Sequence, residues 1–292
     1  MYERVQAGEN TYYIDCPSKI GICGFGEGEC FLVDSGNDAS AAKKALQAVE
    51  ELGWKLRFVI NTHYHADHTG GSALLQNRTG CKIYMEDPVA FLTHPELNAA
   101  LLYGGKPPEF LKGKFFLARG CKVEDISAAT LPEGVQWLSL PGHAMRMIAV
   151  RSADKVWFLG DSLTGKRTLE KYGVTYLYDV RQSLESVEKV RNLEGNLFVP
   201  AHPRAVEDVR ELCEINRESI LQIAERIWEL LAQPKPLDQL LREVFLSYGM
   251  EMNLSQQALI GATVRSYLTY LEGEGRIVPE IVENCLVWKQ NR

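Results

Sequence analysis

Three of the six histidines in this 292-residue chain stand in one hexapeptide, His63-Tyr64-His65-Ala66-Asp67-His68. The hexapeptide follows the apolar run LRFVIN (56–61), which reads as a strand, and precedes GGSALLQNRTG, which reads as a helix. A turn so placed projects its side chains at the carboxyl end of a sheet, where layered α/β proteins build their sites. Neutral imidazoles and a carboxylate suit zinc and other borderline divalent ions. His63 and His65, two apart in an extended turn, can face one ion, and Asp67 and His68 can turn toward another.

The rest of the pattern agrees with an α/β chain. TYYID, KIGICGF and ECFLVDSG read as early strands, and Asn37 or Asp38 caps a helix over Ala41–Leu52 with its apolar positions in helical register. CKIYM, VQWLSLPGH, MIAVRS and VWFLGD read as further strands, the last two joined as a hairpin over Ala153-Asp154; Ser183–Leu193 reads as a helix and NLFVPAH as a last strand. Three more candidate ligands occupy the same kind of position: His143 after WLSLPG, Asp161 after VWFLG and His202 after LFVPA. Past residue 205 the texture becomes helical over 205–232, 237–247 and 255–273, with the breaker QPKP between the first two, and ends in a small hairpin. The spacing predicts a catalytic domain over 1–205 and a smaller, mostly helical, winged-helix-like domain over 206–292.

Composition narrows the function. A net charge of −6 argues against bulk attraction to nucleic acid or to an anionic membrane. Residues 210–292 carry nine Lys or Arg against twelve Asp or Glu, so a nucleic-acid-binding wing is not expected; packing on the first domain, shaping a pocket or making a homodimer is. No run is apolar enough to span a bilayer and the N-terminus has no secretory pattern, so the expected location is the cytoplasm. Seven scattered cysteines, without a CxxC pair, read as packing residues; Cys23 and Cys30 lie in strand-like runs. His94, before a proline and without partners in the pattern, is not a ligand candidate.

THYHADHTGG (62–71), PGH (141–143), GD (160–161) and PAH (200–202) together resemble the metallo-β-lactamase-fold hydrolases over about residues 10–205. That resemblance implies a four-layer αββα sandwich with its site at one edge. It implies that His63, His65 and His143 hold one metal, that Asp67, His68 and His202 hold a second, and that Asp161 bridges them. Two divalent ions are expected, zinc first, with iron or manganese as alternatives. A metal-held hydroxide would be the nucleophile, since coordination brings the pKa of water from ~15.7 to near 7, and Asp67 would aim it as the catalytic carboxylate. The THxHxDHxGG form is similar to glyoxalase II and related thioesterases, which implies hydrolysis of a thioester or ester. A phosphodiesterase or ribonuclease on the same metals, an iron-dependent thiol or persulfide dioxygenase, and a non-catalytic metal-binding protein are the other readings. His65, which the flavodiiron branch replaces by Glu, argues against that branch. Ala144-Met145-Arg146 departs from the hydroxyl and glycine that many relatives place after the third motif's histidine.

The stretch Gly104–Lys122 carries Lys106, Lys112, Lys114, Arg119 and Lys122 against Glu109 alone, and Lys166, Arg167 and Lys171 follow Asp161. Clusters of this sign beside the site predict an anionic small-molecule substrate, with Lys112, Lys114, Arg146 and Tyr176 as candidate contacts; solvated loops are the plain alternative. Tyr172, Tyr176 and Tyr178 fall in the loop expected after Asp161, where a phenol can polarise a carbonyl or protonate a leaving group.

Overall fold

The structure is a computed structural model that describes residues 2–291. Seven strands make the first sheet in their chain order: β1 (Glu3–Gln6), β2 (Thr11–Asp15), β3 (Ile20–Phe25), β4 (Glu29–Val33), β5 (Lys55–Ile60), β6 (Lys82–Met85) and β7 (Glu124–Asp125). β1 to β4 pair antiparallel, and β4 to β7 pair parallel. Each parallel step needs a crossover, and the helical runs supply them: α1 (Ala39–Glu51), then α2 (Ala66–Thr69) with α3 (Ser72–Thr79), then α4 (Ala90–Thr93) with α5 (Glu96–Tyr103). Asp38 starts α1, its Oδ1 accepting from the Ser40 and Ala41 amides at 2.7 and 3.1 Å.

The second sheet holds β8 (Gln136–Ser139), β9 (Ile148–Arg151), β10 (Val156–Phe158) and β11 (Leu197–Val199) in spatial order β11-β10-β9-β8. β9 and β10 form the expected hairpin, closed at Lys155 with φ +62. The two sheets face each other over one apolar layer, in which Phe31, Phe58 and Ile60 of the first meet Val150, Phe158 and Val199 of the second. α1 and α3 cover the outer face of the first sheet, Ala42, Ala45 and Leu75 packing with Leu32 and Val59. α6 (Lys166–Tyr172) precedes α7 (Val180–Arg191), whose Val187 and Val190 cover Trp157 and Phe198 on the outer face of the second. These are the four layers that the resemblance implies. Cys30 and Cys23 lie in the cores on either face of the first sheet, where they act as small apolar side chains.

The C-terminal part consists of α8 (Arg210–Leu230), β12 (Lys235–Pro236), α9 (Leu237–Ser247), α10 (Leu254–Gly273), β13 (Ile277–Val282) and β14 (Cys285–Gln290). β13 and β14 turn over Glu283-Asn284, both at positive φ, and β12 adds a third strand beside β14. Its core is shared: Val174, Leu177 and Val180 sit in the same cluster as Ile223, Leu241, Val264 and Tyr267. The helices after residue 206 are therefore docked against the segment that follows Asp161. No helix among the described residues is long and apolar enough to cross a membrane.

Candidate metal centre

Each candidate ligand sits just past the carboxyl end of a strand. His63, His65, Asp67 and His68 follow β5, His143 lies between β8 and β9, Asp161 follows β10 and His202 follows β11. The glycines of the motifs let these turns close. A Cβ on Gly70 would stand 2.3 Å from the Asn37 carbonyl oxygen, so only glycine lets α2 press against the start of α1. Gly142 has φ +130, and a Cβ there would stand 2.3 Å from the Ser183 amide nitrogen. Gly142→Ala is expected to destabilise the fold by at least ~2 kcal/mol, through backbone strain plus the clash. A lowered denaturation midpoint in urea checks it; a midpoint equal to the parent's would show that the loop yields freely.

The seven side chains fall into two groups. His63 Nε2 is 3.0 Å from His65 Nδ1, which is 3.0 Å from His143 Nε2. His68 Nε2 is 3.5 Å from Asp67 Oδ2 and 3.3 Å from Asp161 Oδ1, and His202 Nε2 is 3.4 and 3.3 Å from the same two oxygens. Asp161 joins the groups: its Oδ1 faces His68 and His202, while its Oδ2 is 3.4 Å from His143 Nε2. The ligand atoms of each group lie within 4.8 Å of one another. His63 and His68 form a fully buried floor, whereas the side chains of Asp67 and His202 are 43% exposed and form the mouth.

Whether ions fit can be tested on the donors themselves. Asp161 Oδ1 is buried and makes no well-formed hydrogen bond, meeting only Nε2 of His68 and His202 at 3.3 Å, an arrangement of donors that a shared cation would satisfy. Tetrahedral zinc with bonds of roughly 2.0–2.1 Å sets its nitrogens roughly 3.3 Å apart, close to the spacing within the three-histidine group. The donor set fits divalent ions.

The electrostatics of the two groups differ. Burial, reinforced by the neighbouring imidazoles, holds His63 well below the usual imidazole range and His65 at about 3; burial also lowers His143. These three are neutral lone-pair donors. In the second group burial opposes ionisation of Asp67 and Asp161, but the adjoining histidines hold both carboxylates well below their usual range. Burial likewise opposes charge on His68, yet Asp161, Asp67 and Asp34 raise it, and Asp161 above all raises His202 to about 10. Two carboxylates held ionised among these imidazoles give this group the charge that suits a cation.

Asp34, whose role was not evident from the sequence, orients two of these histidines. Its Oδ2 accepts from His68 Nδ1 at 2.8 Å, leaving Nε2 free to face the group. The Thr62 hydroxyl donates to the same oxygen at 2.9 Å and can therefore accept from His63 Nδ1 at 3.1 Å, which frees His63 Nε2. Asp34 is itself held by the Thr62 amide at 2.7 Å and sits at φ +62. Its signal was present in ECFLVDSG, an acid ending an apolar strand as Asp161 does. Asp34→Asn is expected to weaken metal retention roughly 10–100-fold, read by competition with a chromogenic chelator; unchanged affinity would remove Asp34 from the centre.

His202 is aimed in a similar way, Nδ1 lying 2.5 Å from the Pro17 carbonyl oxygen. The buried Lys19 pins its loop, Nζ donating to the carbonyls of Ala201, His202 and Pro203 at 3.4, 3.3 and 2.7 Å. At the departure from the family pattern, Ala144 is fully buried and the Met145 amide donates to Tyr64 Oη at 3.3 Å.

Tyr176 stands over the centre, its ring 5.5 Å from that of His65 and 5.7 Å from that of His143. It also lines a cavity of about 680 Å³ whose walls include none of the seven candidate ligands. Tyr178 lines the same cavity, whereas Tyr172 ends α6, a helix where a loop was expected. Lys112 and Lys114 are exposed, and Lys112 pairs with Glu109 at 2.8 Å within its own turn; neither lines the cavity. Arg146 is exposed, within Coulomb reach of Glu86. Lys166, Arg167 and Lys171 lie exposed on α6, and His94 is exposed near Glu96.

Comparison with known proteins gives a consistent picture. The family model of the metallo-beta-lactamase superfamily matches residues 9–202. A hydroxyacylglutathione hydrolase of Rhodospirillum rubrum is 43% identical over 56 residues, 19% of this chain and 20% of that protein. An atrochrysone carboxyl ACP thioesterase of Aspergillus fumigatus is 25% identical over 211 residues, covering 70% of this chain and 53% of that one. The matched stretches thus span about half or less of these curated relatives. A metallo-beta-lactamase family protein of Thermus thermophilus has the same fold over 99% of this chain and 98% of its own, with TM-score 0.71 at 19% identity.

Proposed function

The chain belongs to the metallo-beta-lactamase superfamily, and from that premise we propose that it is a dinuclear metal-dependent hydrolase of anionic thioesters or related esters. One observation carries the reading: the two oxygens of Asp161 face two different ligand groups, at 3.3 and 3.4 Å. His63, His65 and His143 would hold one ion, Asp67, His68 and His202 the other, and Asp161 both. Zinc is the first choice for imidazole and carboxylate donors, with iron and manganese as alternatives. When bound, such ions supply a water nucleophile at neutral pH and Lewis-acid polarisation of the carbonyl.

The chain's own residues do the rest. Asp67, at the exposed mouth, accepts a hydrogen bond from the attacking water and aims it at the acyl carbon. Asp34 orients Nε2 of His63 and His68 toward the centre, through the contacts described above. Tyr176, beside His65 and His143, is placed to donate its phenolic proton to the carbonyl oxygen or the departing group. Thioesters are favoured as the class because hydroxyacylglutathione hydrolases and an ACP thioesterase are among the relatives.

Zinc- and iron-loaded protein should be assayed on matched thioester, lactone, β-lactam and phosphodiester panels with metal per chain recorded. The expected result is two ions and fastest turnover of thioesters. Phosphodiester cleavage with inert thioesters, or oxygen consumption without hydrolysis, would retire the reading. In the same assay Asp67→Ala is expected to lower kcat by roughly 10²–10⁴-fold while one ion is retained. A kcat within a factor of about two of the parent's, on the scale of a few tenths of a kcal/mol, would deny Asp67 its role.

A further inference from the structure

The cavity of about 680 Å³ beside Tyr176 is the size of a small-molecule site, and its walls are chemically specific. One wall is a single face of α10, from Ala262 through Arg265, Ser266, Thr269 and Tyr270 to Gly273. At 1.5 Å per residue this face runs roughly 16 Å, so the groove is elongated. α10 is fastened to the segment that joins it to the metal centre: Ser266 Oγ donates to the Tyr178 carbonyl at 2.6 Å and the Leu177 amide to Thr263 Oγ1 at 3.2 Å. The opposite lip is the end of α5, where Leu101 and Tyr103 are 37% and 55% exposed.

Four tyrosines line the groove, Tyr103, Tyr176, Tyr178 and Tyr270. Flat faces with polar rims suit a planar ring system better than a flexible chain. Two arginines also line it. Arg181 is neutralised by Glu274 at 2.6 Å and lies over Tyr270, but Arg265 has no carboxylate within 4.0 Å among the described residues. The centre has a second, open side at Asp67 and His202, through which a released thiol can leave.

Resting on the hydrolase reading above, we propose that this groove holds the acyl part of the substrate, a planar aromatic group carrying an acidic substituent that Arg265 meets. The C-terminal region then selects the substrate, while the first domain carries the chemistry. Anion recognition falls to an arginine on α10 and not to Lys112 and Lys114, which lie off the groove.

The test uses full-length zinc-loaded protein and thioesters of one thiol, N-acetylcysteamine, with acetyl, hexanoyl, naphthoyl and carboxynaphthoyl groups. kcat/KM is expected to rise in that order. Arg265→Ala is expected to reduce the carboxynaphthoyl-to-naphthoyl preference roughly tenfold or more, the loss of one charge-assisted contact. Calorimetric binding of the free naphthalene dicarboxylate should weaken in the variant in parallel. Equal kcat/KM along the series, or a preference and a dicarboxylate affinity that Arg265→Ala leaves unaltered, would overturn the proposal. Absence of thioester hydrolysis, with dicarboxylate binding still dependent on Arg265, would count against the hydrolase reading while supporting the groove. Arg265 is an exposed helix position, so loss of folding does not cloud the variant.

Discussion

Alanine at Asp161 is expected to empty both halves of the centre at once and to lower kcat/KM by about three orders of magnitude or more, since metal assistance supplies several kcal/mol. Among the described residues Asp161 is the one side chain whose two oxygens approach both ligand groups, and its side chain is only 12% exposed, in a wall made by the buried run before it. Its removal would take an anionic donor from each proposed ion and leave less negative charge to offset their mutual repulsion. His202 touches the second group alone and lies at the exposed mouth, so His202→Ala is expected to lose one ion and keep the other. Metal per chain after gel filtration, measured by inductively coupled plasma mass spectrometry, separates the cases. Equal retention by the two variants would contradict the bridging role.

Removal of the ions from the parent protein is expected to produce a comparably large effect on stability. A ligand that binds only the folded state at a free concentration a thousandfold above its Kd stabilises that state by about 4 kcal/mol. The centre gives this a structural basis: Asp161 Oδ1 is a buried carboxylate oxygen that makes no well-formed hydrogen bond and that a bound cation would satisfy. Chelation should lower the thermal midpoint of the parent, and zinc should restore it. The same treatment should move Asp161→Ala little, because that variant has neither the ions nor the orphaned oxygen to lose. A midpoint indifferent to chelator in the parent, or an equal drop in both proteins, would separate the seven-residue cluster from metal binding.

Much of this centre was legible in the chain because its candidate ligands are residues of metal-binding type at a repeated position. Histidine or aspartate directly after an apolar strand can be seen without coordinates, and the glycines of THYHADHTGG and PGH mark turns that only glycine closes. The helices expected over 237–247 and 255–273 were also legible, since apolar residues recur along them at helical spacing. Asp34 was harder. It lies in the acid-rich cap before α1, where a carboxylate has an ordinary reason to be present, and its role depends on Thr62 and His68 being brought to it by the sheet. Lys19 was hidden for a similar reason, as its three carbonyl partners lie more than 180 residues away.

The basic stretch at 104–122 shows the converse. Charge along the chain records sign but not direction, and Lys112 spends its charge on Glu109 three residues back. The groove was invisible because its walls come from residues 101–104, 176–181 and 262–273, which share no contiguous pattern. The division near residue 205 remains our proposal from connectivity and texture, since the core around Tyr267 takes in side chains from both sides of it.

Anomalous diffraction from crystals of the zinc-loaded protein, recorded above and below the zinc edge, addresses the central claim most directly. Two peaks roughly 3.5–4 Å apart are predicted, one among His63, His65 and His143 and one among Asp67, His68 and His202, with Asp161 between them. A single peak, peaks at other residues, or none at full zinc saturation would contradict it.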